Sequence, residues 1–261
     1  MPEQGKGHRK VKDSLEEARR EILQRMDETD ISMDEQVHAE PLGVEEAIGD
    51  PSPYRDFPLL GGVEKLVDVT FRSSRGQAFS SFPCRWSGSL DEVFSLPLKN
   101  EKNRTIAIAT INALARELGI TKGTIHCRDR EPHLCGRQMA MELSRKFGHS
   151  SVIGIVGYNP AIISNIVQVF GQDQVRVTDL NPANVGHVRY GATVWHGRRD
   201  LERLASECDV ALVTGSALCN GTLDAVRETL EFHKKPIFYF GTTIAGIAGL
   251  LGYERWCFKS C

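Results

Sequence analysis

The second half of the chain alternates short apolar segments with amphipathic ones, and this alternation restricts the fold more than any other feature. The segment SVIGIVGY at 151–158 is a continuous apolar run of strand length, and a helix is predicted directly after it at 160–170. Strands that are covered on both faces by crossover helices have this pattern. The other predicted strands are TIHC at 124–127, QVRVTD at 174–179, ATVWH at 192–196, DVALVTG at 209–215 and PIFYFG at 236–241, and the other predicted helices lie at 136–147, 200–207 and 223–234. The pattern predicts a Rossmann-like domain with a parallel sheet over residues 122–261.

The first half has a different pattern. The segments VEKLVDVTF and GQAFSSFPC are typical of strands, and the turn-like SSRG between them favours an antiparallel hairpin. Helices are predicted at 12–29 and 103–118, and a further strand is predicted within 37–48. The three prolines and two glycines of 50–62 predict a loop. We therefore expect a small α+β domain over residues 1–121.

Charge and composition exclude several classes of partner. The chain has 261 residues, 41% of them hydrophobic, and 32 basic against 34 acidic residues give a formal charge of -2. This balance provides no basic field for nucleic acid or anionic lipid, so neither partner is expected. The amino terminus has no signal-like apolar stretch, and the longest apolar run, at 244–253, is too short to span a bilayer. We predict a cytoplasmic protein without membrane contact, in which the seven cysteines form no disulfide framework.

Four polar loops, three of which contain glycine, follow the predicted strands. Ligands of open parallel sheets bind outside the carboxyl ends of the strands, where these loops gather. The loops are GYNP, DLNP, TGSALCNGT and GTTIAG, and their candidate ligand-binding residues are Gly157, Tyr158, Asn159, Asp179, Thr214, Gly215, Ser216, Asn220, Thr222, Thr242 and Thr243. The loop at 214–222 is the strongest candidate, because four polar side chains accompany two glycines that allow a close backbone approach.

The nature of the ligand is less constrained by these loops. Only Gly157 of the G-x-G-x-x-G fingerprint is present, which argues against an ordinary dinucleotide site. Asp179 lies about 20 residues beyond Gly157, where a ribose-binding carboxylate is expected. The alternative for Asp179 is a cap on the turn that contains Asn181.

The segment HCRDREPHLC at 126–135 and one loop cysteine are candidates for a transition-metal site. The candidate ligands are His126, Cys127, His133, Cys135 and Cys219. A strand at 124–127 would direct His126 and Cys127 to opposite faces, and the spacings differ from those of structural zinc sites. The alternative is that Cys127 belongs to the core and the charged loop is solvated. Cys257 and Cys261 lie too close to a chain end to predict a ligand pair.

Five segments, taken in order, carry a resemblance to a known family. They are IAIATINALA at 106–115, VIGIVGYNP at 152–160, VTDLNP at 177–182, CDVALVTGSALCNGTLD at 208–224 and FGTTIAGIAGLLG at 240–252. The chain resembles the putative heavy-metal chelation domain family over about residues 104–252, and TGSALCNGTLD is the most specific part. The proline-rich segment at 50–62 departs from the family pattern.

The resemblance implies an enolase-N-terminal-like first domain, a Rossmann-like second domain and a ligand site in the cleft between them. It implies that Asn112 reaches toward the cleft, whereas an ordinary mid-helix amide would bond a neighbouring backbone or solvent. It also implies a homodimer. The leading hypothesis is a protein that binds a small anionic molecule, a heavy metal or a metal chelate in this cleft.

Two other classes of function stay open. The first is an enzyme for a nucleotide-like or amino-acid-like substrate, with Asp179 as a ribose anchor. In that class Glu40, or a side chain of the 50–62 loop such as Tyr54, Arg55 or Asp56, would complete the site. The second is a non-catalytic partner protein with an unused cleft.

Overall fold

An antiparallel sheet forms the first half of the molecule. The computed structural model describes residues 13–50, 52, 57–61 and 64–261. The strands are β1 (Gln36–Pro41), β2 (Lys65–Phe71), β3 (Ser74–Ser80) and β4 (Trp86–Ser89), in the spatial order β3-β2-β1-β4. The predicted antiparallel hairpin is present as β2–β3, but its turn lies at 72–73, and the residues 74–76 of the predicted SSRG turn belong to β3. The strand predicted within 37–48 is β1, and the rest of that segment contains a short helix.

Three of the helices of this half pack on one face of the sheet, and the short helix at 44–48 packs against Leu66 on the other face. The helices are α1 (Ser14–Met26), α2 (Val44–Ile48), α3 (Leu90–Ser95) and α4 (Glu101–Glu117), with a 3₁₀ turn at Pro58–Gly61. The helix α4 packs on β3 at close range, because Gly76 has no side chain and lies against the α4 backbone at Ala109 and Ala113. Residues Thr105 to Ala115 of α4 are all buried, so this helix is central to the core.

A mostly parallel sheet forms the second half. Its strands are β5 (Ile153–Val156), β6 (Val175–Asp179), β7 (Val188–Arg189), β8 (Ala192–His196), β9 (Val210–Thr214) and β10 (Ile237–Phe240), in the order β10-β9-β5-β6-β8-β7. Only the β7–β8 pair of this sheet is antiparallel. The chain extends the sheet from β5 through β6 to β8 and then returns to β9 on the other side of β5. The strand order therefore reverses between β5 and β9, which is where open α/β sheets bind ligands.

Helices lie on both faces of the parallel sheet. They are α5 (Glu131–Phe147), α6 (Pro160–Phe170), α7 (Leu201–Glu207), α8 (Ser216–Cys219), α9 (Leu223–Phe232) and α10 (Ala245–Leu251), with a 3₁₀ turn at Gln172–Gln174. Asn159 caps α6 through a hydrogen bond from the Ile162 amide, and Pro160 takes the first position. No helix in the described part of the chain has the length and apolarity that crossing a bilayer requires.

The two sheets share packing through α4. Its side chain Asn112 is fully buried and donates to the backbone oxygens of Gln77, Thr242 and Thr243. Its Oδ1 accepts the Gly246 amide at 2.6 Å. Asn112 therefore joins β3 of the first sheet to the loop that follows β10 of the second.

The mixed α/β class predicted from the sequence is confirmed, and one predicted strand is wrong. Residues 124–127 form no strand, because their backbone groups bond separate partners and do not pair with a neighbouring strand. The His126 amide donates to the Gln77 side chain, and Ile125 exchanges two backbone hydrogen bonds with Cys261. The domain boundary at 121 and 122 stays a prediction.

Candidate functional site

A cavity of about 620 Å³ lies at the carboxyl ends of the parallel strands. Its lining contains Gly157 and Tyr158 after β5, Asp179 at the end of β6, Thr214 at the end of β9 and Ser216 after β9. These residues surround the point where the strand order reverses. Of the predicted ligand-binding residues, the cavity is lined by Gly157, Tyr158, Asp179, Thr214, Ser216, Asn220 and Thr222.

Other predicted residues lie beside the cavity or away from it. A smaller adjoining cavity of about 60 Å³ is lined by Asn159, Gly215 and Thr243. Asn112 and Thr242 line neither cavity, and both are fully buried. Glu40 is exposed on β1, and Tyr54, Arg55 and Asp56 lie outside the described residues. The bonds of Asn112 go to backbone groups far away along the chain, and its ligand role stays a prediction.

The first half of the chain contributes a wall that sequence reasoning missed. Glu64, Ser81, Phe82 and Glu101 line the cavity opposite the strand ends. Glu101 is held in place because its Oε1 accepts the Ser81 amide at 2.7 Å and the Ser80 hydroxyl at 3.2 Å. An acidic residue in the first turn of a helix is common for reasons of helix stability, so Glu101 gave no functional signal. Glu64 precedes β2 without any pattern that marks it.

Asp179 connects two of the loops that line the cavity. Its carboxylate accepts the Tyr158 amide at 2.7 Å and the Asn181 amide at 2.6 Å, with the Asn184 side chain at 3.4 Å. These bonds fix the chain after β5 against the end of β6. The turn-capping role predicted as an alternative is therefore present, and Asp179 still lines the cavity.

Among the carboxylates that the structure describes, Glu64 has the most strongly shifted pKa. Burial raises its pKa to about 7, and the nearby charges of Asp179 and Glu101 act in the same direction. Glu64 makes no hydrogen bond or ion pair with any residue that the structure describes. A proton or a positively charged ligand group would relieve this repulsion. The pKa lies near neutrality, so Glu64 exchanges a proton in the physiological range.

The wall after β9 supplies hydroxyl and amide groups. Asn220 Oδ1 accepts the Thr222 hydroxyl at 2.6 Å and the Thr222 amide at 3.1 Å, which orders the loop TGSALCNGT. Thr178 at the end of β6 also belongs to the lining, although its side-chain oxygen is buried and has no hydrogen-bond partner among the described residues.

Apolar and cationic groups lie toward the mouth of the cavity. Phe82 is 62% exposed although it is a large apolar side chain, and Leu180 and Leu201 accompany it in the lining. Arg198 is the one cationic side chain among the described lining residues, and it is exposed. The described lining therefore carries three carboxylates and one exposed positive charge among apolar side chains.

The predicted metal ligands divide among separate places. Cys127 and Cys135 are buried near Cys257, and His126 lies close enough to Cys257 to interact with it electrostatically. His133 lines a different surface, a groove that it shares with Leu134 and Arg137. Cys219 is 1% exposed next to Thr105, and burial raises the pKa of its thiol to about 12. The five residues therefore form no single site.

The geometry of the described side chains does not fit a bare metal ion held by several ligands. No three or more His, Cys, Asp or Glu side chains in the described ranges are arranged around one point as such an ion requires. The cavity offers carboxylate and hydroxyl oxygens, which suit hard cations, whereas heavy metals prefer sulfur. A bare heavy-metal ion is therefore a poor match for the cavity.

One family comparison bears on this chain. The model of the family DUF364, described as "Putative heavy-metal chelation", matches residues 139–245. The resemblance to this family is confirmed over that range. The matched range contains the loops after β5, β6 and β9, and it excludes α4 and the carboxy-terminal residues 246–261. No curated protein matches the chain significantly.

Two solved structures are similar to the chain. One is a DUF364 protein of unknown function from Pyrococcus horikoshii, with 16% identity, coverage of 88% of this chain and 79% of that one, and a TM-score of 0.48. The other is a DUF364 protein of unknown function from Desulfitobacterium hafniense DCB-2, with 16% identity, coverage of 72% of each chain and a TM-score of 0.45.

Proposed function

We propose that the cavity binds a small organic ligand with a cationic or hydrogen-bond-donating centre. The observation that carries this proposal is the convergence of three carboxylates, Glu64, Glu101 and Asp179, on one cavity. Opposite charges stabilise each other more strongly in a partly enclosed site than in water. An ammonium group or a polarised N–H donor satisfies the carboxylates, whose charges repel one another in the cavity. A purely anionic ligand would increase that repulsion.

A metal chelate with net positive charge falls into the same chemical class. The organic part of the chelate would complete the coordination of its metal, so the protein need not supply a ligand set. The family description of heavy-metal chelation is compatible with such a ligand. The apolar side chains Phe82, Leu180 and Leu201 would contact the organic part.

The test uses two inert complexes of similar size and opposite charge, hexaamminecobalt(III) and hexacyanocobaltate(III). Isothermal titration calorimetry at pH 8 is expected to detect binding of one cationic complex per chain and no binding of the anionic complex. Replacing Glu64 or Glu101 by Gln removes a charge and keeps an acceptor oxygen, and each variant should bind about 10-fold more weakly.

Glu40→Gln is the matched control, because Glu40 is exposed on β1 outside the cavity. Its affinity for the cationic complex should equal that of the unmodified protein. Preferential binding of the anionic complex, or equal affinities for all four proteins, would overturn the proposal.

An acid–base enzyme is a second candidate, and the pKa of Glu64 favours it. A carboxyl group with a pKa of about 7 accepts and returns protons efficiently at neutral pH. An amino-acid-like substrate suits the charges, since its ammonium group would meet the carboxylates and its carboxylate would meet Arg198 at the rim. The negatively charged phosphates of a nucleotide suit the three carboxylates of the cavity less well. Under this candidate, Glu64→Gln abolishes turnover of an amino-acid-like compound, whereas the binding candidate predicts no turnover in either protein.

A further inference from the structure

The carboxy-terminal segment brings distant cysteines together. Arg255 holds this segment, donating from Nε to the Gly241 oxygen at 2.9 Å and from Nη2 to the Gly123 oxygen at 2.7 Å. Two backbone hydrogen bonds of 2.9 and 3.1 Å then join Ile125 to Cys261, the last residue. Cys257 lies between these attachment points. It is therefore held against the segment 123–135 and is not a free end.

Three thiols meet in this region. Cys127 and Cys135 are 5% and 7% exposed, and Cys257 is half-buried. The thiols of Cys135 and Cys257 are neighbours, and each has the largest influence on the pKa of the other, raising that of Cys135 and lowering that of Cys257. Cys127 lies within electrostatic range of both. All three are free cysteines.

The chemistry of this group differs from that of the cavity. Thiolate sulfur selects soft cations such as Cu(I) over hard ones. No three possible metal ligands among the described residues surround one point, so Cys127 is not counted as a third ligand and the candidate site consists of Cys135 and Cys257. Soft cations with a filled d shell, such as Cu(I), Ag(I) and Hg(II), accept two sulfur ligands in a linear arrangement. The positive charge of Arg255 lies near the pair and offsets part of the negative charge that a bis-thiolate complex carries.

We propose that Cys135 and Cys257 form a binding site for one soft, two-coordinate metal ion, separate from the cavity. Binding of Cu(I) forms two copper–sulfur bonds and breaks two S–H bonds. The two protons pass to solvent, and neither copper nor sulfur changes its oxidation state. The site joins α5 to the carboxy-terminal segment, so the bound ion also links these two parts of the chain.

The test is an anaerobic titration of the fully reduced protein with Cu(I) in competition with the coloured chelator bicinchoninate. Reduction is checked by a count of seven thiols in denaturant, the number of cysteines in the chain. The unmodified protein is expected to withdraw one Cu(I) per chain from the chelator and to develop a thiolate-to-copper absorption band in the ultraviolet. Cys135→Ser and Cys257→Ser should each lose at least about 100-fold in affinity, because a single thiol lacks the effective concentration of a pair.

Two controls separate the pair from general thiol binding. Cys261→Ser alters an exposed thiol of the same segment, and Cys84→Ser alters a thiol of the first half, so both should stay within about 3-fold of the unmodified protein. Cys135→Ala and Cys257→Ala serve where a serine variant does not fold. The proposal is overturned if the unmodified protein fails to compete with bicinchoninate, or if folded variants of Cys135 and Cys257 bind Cu(I) as tightly as it does.

Discussion

The cavity at the strand ends and the thiol pair at the carboxy terminus differ in every property that decides ligand choice. The cavity is open, has a volume of about 620 Å³ and presents the oxygens of Glu64, Glu101 and Asp179. The thiol pair consists of the buried Cys135 and the half-buried Cys257 and presents two sulfur atoms. Oxygen and sulfur donors therefore lie in separate parts of one chain. The difference teaches that the donor atoms, and not the size of a cavity, decide which cation each place suits.

The largest effect is expected from Gly157→Ala, which should damage the cavity and spare the thiol pair. Gly157 has a φ of +97°, and an added Cβ would collide with the Thr214 side chain. Both the strain and the collision destabilise the fold, by about 3 to 5 kcal/mol together, as measured by urea unfolding.

Gly171→Ala is the control for strain alone. Its φ is +82°, and no atom lies near the position of an added Cβ. This variant should lose only about 1 kcal/mol. Equal losses for the two variants would show that Gly157 does not pack against Thr214 in the way described.

Asn112→Ala should have the next largest effect, on stability and not on ligand choice. The substitution removes a buried amide that bonds Gln77, Thr242, Thr243 and Gly246. Their unsatisfied backbone groups should lower the free energy of unfolding by about 2 to 4 kcal/mol. Asn103→Ala, which loses one bond to Pro97 at the start of α4, should lose less than about 1 kcal/mol. A selective loss of hexaamminecobalt(III) binding with unchanged stability would instead support the ligand role that the family resemblance implied for Asn112.

The smallest effect concerns pH and Glu64. The folded pKa of about 7 lies above the ordinary value of 4.5, so between these values the folded protein binds more protons than the unfolded chain. Stability from this group is present at pH 4.5 and is lost as the pH rises through 7. The Glu64→Gln variant has no ionisable group at this position. Its free energy of unfolding, measured relative to that of the unmodified protein, should therefore be roughly 1 to 3 kcal/mol higher at pH 8 than at pH 5. A difference that does not vary with pH would exclude the shifted pKa, and urea unfolding at both pH values measures it.

The sequence was most informative about the parallel sheet and its loops. Apolar runs such as that of β9 are buried on both faces, and the rule for strand ends then located the loop at 214–222 beside the cavity. The short strand β4 and the helix α8 were missed because four residues carry no periodicity. Residues 124–127 resemble a strand in composition, yet their backbone partner is the chain end, which no local pattern reveals.

The two carboxylates of the first half and the thiol pair could not be predicted either, because both depend on contacts between residues that are distant in sequence. Glu64 and Glu101 are isolated acidic residues whose positions acquire meaning only when the two sheets meet. Cys257 follows Cys135 by more than a hundred residues, and its proximity to a chain end argued against a defined position. The hydrogen bonds of Arg255 and Cys261 supply that position. Long-range contacts of this kind cannot be inferred from the spacing of residues along the sequence.

The most direct test of two separate sites is a crossed titration with hexaamminecobalt(III) and Cu(I). The unmodified protein, Glu64→Gln/Glu101→Gln and Cys135→Ser/Cys257→Ser are each titrated with both probes. We predict that the carboxylate variant loses about 100-fold in affinity for the cobalt complex and keeps its affinity for Cu(I), while the cysteine variant shows the reverse. Loss of Cu(I) binding in the folded carboxylate variant, or of cobalt complex binding in the folded cysteine variant, would contradict the separation of the two sites.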